Sequence, residues 1–186
     1  MLFRSVQGLS FDRGRVAGAV AAFFAGRLAA IAREEGAAPD VIDAVSSVGV
    51  IDPMEFMDRV EALGSARLEE PEVFEDLATA YARAAHLADR SLGYRIDEGI
   101  MGDAERSLLE ACRRGSADVK KALSKRDYRA ACKALADLRE PIDRFFDDVL
   151  VMDDDTVVRE NRLKLLNLFA AVFDDVANIG ALSKKG

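Results

Sequence analysis

Apolar residues return every three or four positions through most of this chain, and its four prolines stand where such runs begin or break. A repeat near 3.6 residues turns one face of a helix toward a core, so the pattern admits packed helices and little else. Asp52-Pro53 marks the clearest start: an acidic side chain able to accept from first-turn N–H groups, then a residue whose missing N–H costs nothing there. The run that follows carries Phe56, Met57, Val60 and Leu63. Pro39 opens a short helix over about Asp40 to Val48, and Pro71 opens one that reaches about Asp89 with Phe74, Leu77, Ala78, Tyr81, Ala85 and Ala88 on its stripe. Ahead of these, Val16, Val20, Phe23, Phe24, Leu28 and Ile31 predict a helix from about Asp12 to Glu35, ended at Gly36. Composition agrees: 31 alanines stand against 2 threonines and 7 isoleucines, a balance that favours helix and excludes an all-β fold.

Between Arg90 and Gly102 the periodicity lapses and Gly93, Gly99 and Gly102 intervene, which predicts an exposed connection. It separates an N-terminal helical segment, 1–89, from a C-terminal helical bundle, 103–182. Asp103 is read as the cap of the next helix, whose stripe of Leu108, Leu109, Cys112, Val119 and Leu123 is weakened at Gly115-Ser116. Asp127 caps another. Because the residue before a proline avoids helical backbone, Pro141 predicts a break at Glu140 and a new helix from Pro141 to about Val149. The run Asp153-Asp154-Asp155 sits where a helix start favours negative charge, ahead of a last helix over Thr156 to Ala177 that buries Leu163, Leu166, Ala170, Phe173 and Ala177. The fold class is all-α, a bundle of about seven helices.

The chain offers little catalytic chemistry. Its one histidine, His86, lies within a helix with no serine or cysteine placed to act as its nucleophile. Neither GxGxxG nor GxxxxGK[ST] occurs, so no phosphate-cradling loop is written here. Asp153–Asp155 lacks the alternating ligand spacing of a calcium loop, and helix capping is its better reading; no metal is expected. Cys112 and Cys132, 20 residues apart in helical context, read as buried thiols. The longest apolar run, Val16 to Gly26, is mostly alanine and glycine, and Met1–Ala17 has no basic-then-apolar leader with a cleavage-like motif. No membrane span and a cytoplasmic location are the expectations.

Charge is uneven. The chain carries −7 overall, which weighs against a chain-wide grip on nucleic acid. From Arg113 to Lys133, however, eight bases (Arg113, Arg114, Lys120, Lys121, Lys125, Arg126, Arg129, Lys133) face two acids, a local +6, whereas Asp143–Asp155 carries −5. Arg113 and Lys120, like Arg114 and Lys121, are seven apart and share helix faces, so a basic strip able to hold phosphate can form; the same face could equally pair with acids or dock an acidic protein partner. Arg159, Asn161 and Arg162 open the last helix, where two guanidinium groups beside an amide suit phosphate and base edges. Arg159 and Arg162 could as well pair with Asp148, Asp154 or Asp155 to fix that helix against its neighbour.

The stretch holding Phe145-Phe146, Val149-Leu150-Val151-Met152, Arg159-Glu160-Asn161-Arg162-Leu163 and Val176-Ala177-Asn178-Ile179 resembles the DALR-type anticodon-binding domain that ends the bacterial glycyl-tRNA synthetase β subunit. Ala37–Val45 and the helix from Phe74 through Arg83 resemble the approach to that domain, and the likeness spans about 20–182. His86 departs from it, standing where asparagine is expected. The resemblance implies a non-catalytic piece of a glycine–tRNA ligase, a C-terminal fragment of a longer β subunit that receives the anticodon arm of tRNA-Gly. It implies an α subunit as partner, in an α2β2 enzyme, holding ATP, magnesium and glycine, with no cofactor bound here. It carries Arg159, Asn161, Arg162 and Arg83 as tRNA-facing residues, to which the basic strip adds Arg113, Arg114, Lys120 and Lys121. A helical protein-interaction module that docks an acidic partner or the α subunit without touching RNA is the alternative.

Overall fold

The computed structural model describes residues 12–50 and 52–183, and among them every regular element is helical. The described residues form eight α-helices against the predicted seven or so: α1 (Arg13–Glu34), α2 (Pro39–Ser46), α3 (Pro53–Glu69), α4 (Pro71–Leu87), α5 (Asp103–Ser124), α6 (Tyr128–Ala136), α7 (Arg139–Asp148) and α8 (Thr156–Ala171). Short 3₁₀ turns occupy Arg90–Leu92, Glu98–Ile100 and Ile179–Ser183.

Helix starts follow the local chemistry. Asp12, Asp52, Asp127 and Asp155 each cap a helix, accepting from backbone N–H groups two or three residues on. At α5 the expected cap moves by one position: Gly102 precedes the helix, Asp103 is its first residue, and Glu105 reaches back to accept from the Gly102 N–H at 2.6 Å. Gly115 does not interrupt α5, because it is buried against Leu138 and Val172.

Two boundaries differ from the periodic reading. The break before α7 falls at Asp137-Leu138, not Glu140, and Pro141 lies inside the first turn, where a missing N–H leaves no intrahelical bond unmade. The last helix ends at Ala171; Val176, Ala177 and Ile179 reach the core from the turns that follow it.

The core gathers around α4, which packs against α3, α7, α8 and the final 3₁₀ turn. Phe56, Phe74, Phe145, Phe169 and Phe173 are fully buried, and Phe173 packs edge-on against both Tyr81 and Phe169. The final turn also packs on α2, so helices before and after the 90–102 connection share one core. Both cysteines lie in it, and burial pushes each thiol up to about 12.

Helix α1 overturns an expectation. Only its last third packs, through Leu28 and Ala32, whereas Val16, Val20, Phe24 and Phe23, the last 71% exposed, face outward. By length and composition alone Gly14–Glu34 could cross a membrane, but Arg15, Arg27 and Arg33 punctuate it and its C-terminal end is part of the core.

Candidate nucleic-acid interface

The start of α8 turns its polar residues inward. Arg162 is 15% exposed; its Nε donates to Glu105 at 3.0 Å, and one terminal nitrogen donates to Asp153 at 2.7 Å and to the Leu150 carbonyl at 2.8 Å. Glu105 is only 5% exposed and uses its other oxygen on Gly102, so one arginine and one glutamate tie the starts of α5 and α8 to the segment after α7. The Asp153 carboxyl is held below its usual range by the Asp155 backbone N–H first and by Arg162 next. Arg162 is held above its own usual value even though burial opposes this, because Glu105 and Asp153 both accept from it.

Arg159 donates to the Asp153 carbonyl at 2.6 Å and to Thr156 at 3.1 Å. Asn161 is buried, accepting from the Asp97 N–H at 2.8 Å and donating to the Asp97 carbonyl at 3.0 Å. Asn167, on the same helix, donates to the carbonyls of Asp89 and Gly93. These two amides bond backbone groups of Asp89, Gly93 and Asp97 and so hold the connection against α8, which its mixed glycine-rich sequence does not foretell.

The basic strip is arranged the other way. Arg113 pairs with Glu98 at 2.6 Å, Arg129 with Glu69 at 3.3 Å and Arg126 with Asp52 at 3.8 Å, all in exposed pairs. Arg114, Lys120, Lys121, Lys125 and Lys133 are exposed and enter no ion pair among the described residues. Lys121, Lys125 and Lys133 line a shallow cleft of about 260 Å³ between α5 and α6, with Asp118, Asp127 and Asp137 beside them. Screened by water, three carboxylates among these lysines subtract from the local potential without tying any lysine down.

Arg83 makes a third arrangement. It is exposed on α4, and its guanidinium lies over the ring of Phe146 on α7, 4.0 Å from the centroid. Of the residues singled out in the sequence, Arg159, Asn161 and Arg162 come together, Arg113, Arg114, Lys120 and Lys121 line α5, and Arg83 stands apart at the α4–α7 seam. Sequence reasoning alone does not mark Phe146 as a site residue. The double aromatic is its signal, since α7 buries Phe145 completely and leaves Phe146 half-covered.

The chain's sequence and its all-helical fold also have counterparts among known proteins. The family described as DALR anticodon binding domain matches residues 77–180, more than half of the chain, and the chain belongs to that family. It is similar, at 37% identity over 172 residues, to the glycine–tRNA ligase beta subunit of Desulforudis audaxviator, the match covering 92% of this chain and 25% of that protein. The corresponding subunit of Vibrio parahaemolyticus is 37% identical over 166 residues, and that of Halothermothrix orenii 33% over 163, each match covering 87% of this chain and 24% of the relative. The chain thus spans about a quarter of the length of the curated relatives it matches.

Proposed function

We propose that this chain is the part of a glycine–tRNA ligase β subunit that receives the anticodon arm of tRNA-Gly, supporting glycylation carried out elsewhere in the enzyme. The observation that carries the reading is the set of five exposed bases along α5, the turn after it and α6 that enter no ion pair among the described residues, three of which line one cleft. Phosphates meeting such a face displace bound counterions and water, not internal partners. On this reading Arg114, Lys120 and Lys121 meet the backbone of the arm directly, and Arg113 joins them by exchanging its exposed pair with Glu98 for phosphate. Arg159, Asn161 and Arg162 shape the fold beside it. ATP and magnesium belong to an α subunit, in an α2β2 assembly, and the work takes place in the cytoplasm.

Titration of the chain with tRNA-Gly and with an anticodon-substituted tRNA-Gly at two salt concentrations tests this. Binding is expected to weaken with salt, log affinity falling by roughly 0.7–0.9 per log salt for each phosphate contact, and to weaken further with the altered anticodon. Salt-sensitive binding to the α subunit with none to tRNA overturns the proposal in favour of a protein-docking module.

A further inference from the structure

Resting on the reading above, we propose that the groove between α4 and the segment following α7 takes one unpaired base of the RNA loop, stacked on the guanidinium of Arg83. Its acidic rim favours a base with an exocyclic amino group over uracil.

The groove holds about 640 Å³ and is lined by Arg83, His86, Phe146, Asp147, Leu150 and Met152 among others, a volume in the range of small-ligand sites. Its floor is built from α7 outward. Phe145 is buried, and Phe146 meets it edge-on at 5.5 Å and 62°, which fixes the Phe146 ring. The face of that ring carries Arg83. At the same α4–α7 seam Arg139 is neutralised by Asp76 and Asp143. Arg83, with Asp147 and Asp148 on the same groove, forms no ion pair or hydrogen bond among the described residues. It is held by the ring alone, and its outer plane and N–H edge are left to a ligand. Guanidinium planes and aromatic rings are the surfaces on which splayed single-stranded bases stack.

The rest of the lining includes exposed apolar side chains: Leu150 is 74% exposed and Met152 55%. Val151 between them is buried, and the Leu150 carbonyl accepts from Arg162, so this part of the lining is anchored at both ends of that dipeptide. A flat ligand with two apolar faces and a polar edge suits a groove that offers both a stacking plane and the exposed side chains of Leu150 and Met152. Asp147 is exposed, in no ion pair among the described residues, and supplies acceptors only. Such a rim repels phosphate and takes N–H donors. A carboxylate accepts from the cytosine N4 amino group, whereas uracil presents a carbonyl at the same position.

The test uses the full chain, the tRNA-Gly anticodon hairpin, the same hairpin with its loop cytosines replaced by uracil, and a blunt duplex of the same stem. Arg83→Lys keeps the charge and removes the plane; it is expected to weaken hairpin binding about tenfold, leaving duplex binding and the salt slope unchanged. Phe146→Leu, with folding checked by circular dichroism, should act in the same direction. Asp147→Asn should reduce the preference for the cytosine loop over the uracil loop by about fivefold, at the lower end of the discrimination carried by a base-edge contact. Hairpin binding by Arg83→Lys as tight as wild type, or equal wild-type affinity for hairpin and duplex, overturns the groove assignment while leaving RNA binding by the basic face intact. No wild-type binding to any of these RNAs overturns the underlying reading, and the groove assignment with it.

Discussion

At the start of α8 the cations face inward, Arg162 between Glu105 and Asp153 and Arg159 against the Asp153 carbonyl; along α5, the turn after it and α6, Lys120, Lys121, Lys125 and Lys133 face water with no carboxylate bound to them among the described residues. Both regions carry clustered cations, yet they can do different things. An arginine already donating to a glutamate that is 5% exposed cannot turn to a phosphate without leaving a buried carboxylate unpaired. A solvated lysine gives up only water and diffuse ions. What a cation is bonded to in the fold, more than its presence, decides whether it is available to a ligand.

The largest expected effect breaks the inward cluster. Arg162→Ala should destabilise the chain by about 3 kcal/mol, because it strands Glu105 without a counter-charge; urea unfolding reads this. Any weakening of RNA binding should keep the wild-type salt slope. A shallower slope with unchanged stability would make Arg162 a phosphate ligand and dissolve the contrast. Asn161→Ala comes next, at about 2 kcal/mol, since it leaves the Asp97 N–H and carbonyl without partners, and hydrogen exchange at Asp97 should accelerate in step.

Acid sharpens the same contrast. The Asp153 carboxyl titrates below its ordinary value, so its contribution to stability is present above the unfolded value of about 3.9 and is lost as pH falls through the lower folded value. The Asp153 contribution should therefore stay level from neutrality to about pH 5 and fall below pH 4, and the fall should be smaller in Arg162→Ala, which already lacks that partner. The outward face behaves oppositely: Lys121→Gln with Lys125→Gln should change stability by less than about 0.5 kcal/mol while lowering the salt slope by roughly 0.7–0.9 for each phosphate the face no longer neutralises. The smallest effect is at α1, where Phe23→Ser should leave the unfolding midpoint nearly unchanged because the ring is 71% exposed.

Particular residues show how much is legible without the fold. Asp52-Pro53, Asp127 and Asp155 mark helix starts correctly, since a cap and the N–H groups it serves lie within three residues of one another. Pro141 marks a real break three residues late, because proline is tolerated throughout a first turn. The α1 stripe is periodic and mostly exposed; periodicity states which residues share a face, not whether anything meets it. The basic strip is legible as charge, whereas the Arg83–Phe146 pair is not, since its members lie on different helices.

By itself, then, the sequence determined an all-helical bundle, most of its helix starts, its family likeness, and the segregation of +6 and −5 stretches that the net −7 conceals. All of these rest on spacing of a few residues or on local composition. Only the tertiary structure decided that Arg162 answers Glu105 57 residues away, that Asn161 holds Asp97 64 residues away, and that Arg83 lies on Phe146. Such pairings are settled by how helices pack, where burial makes an unpaired charge or amide costly enough to select one partner among many.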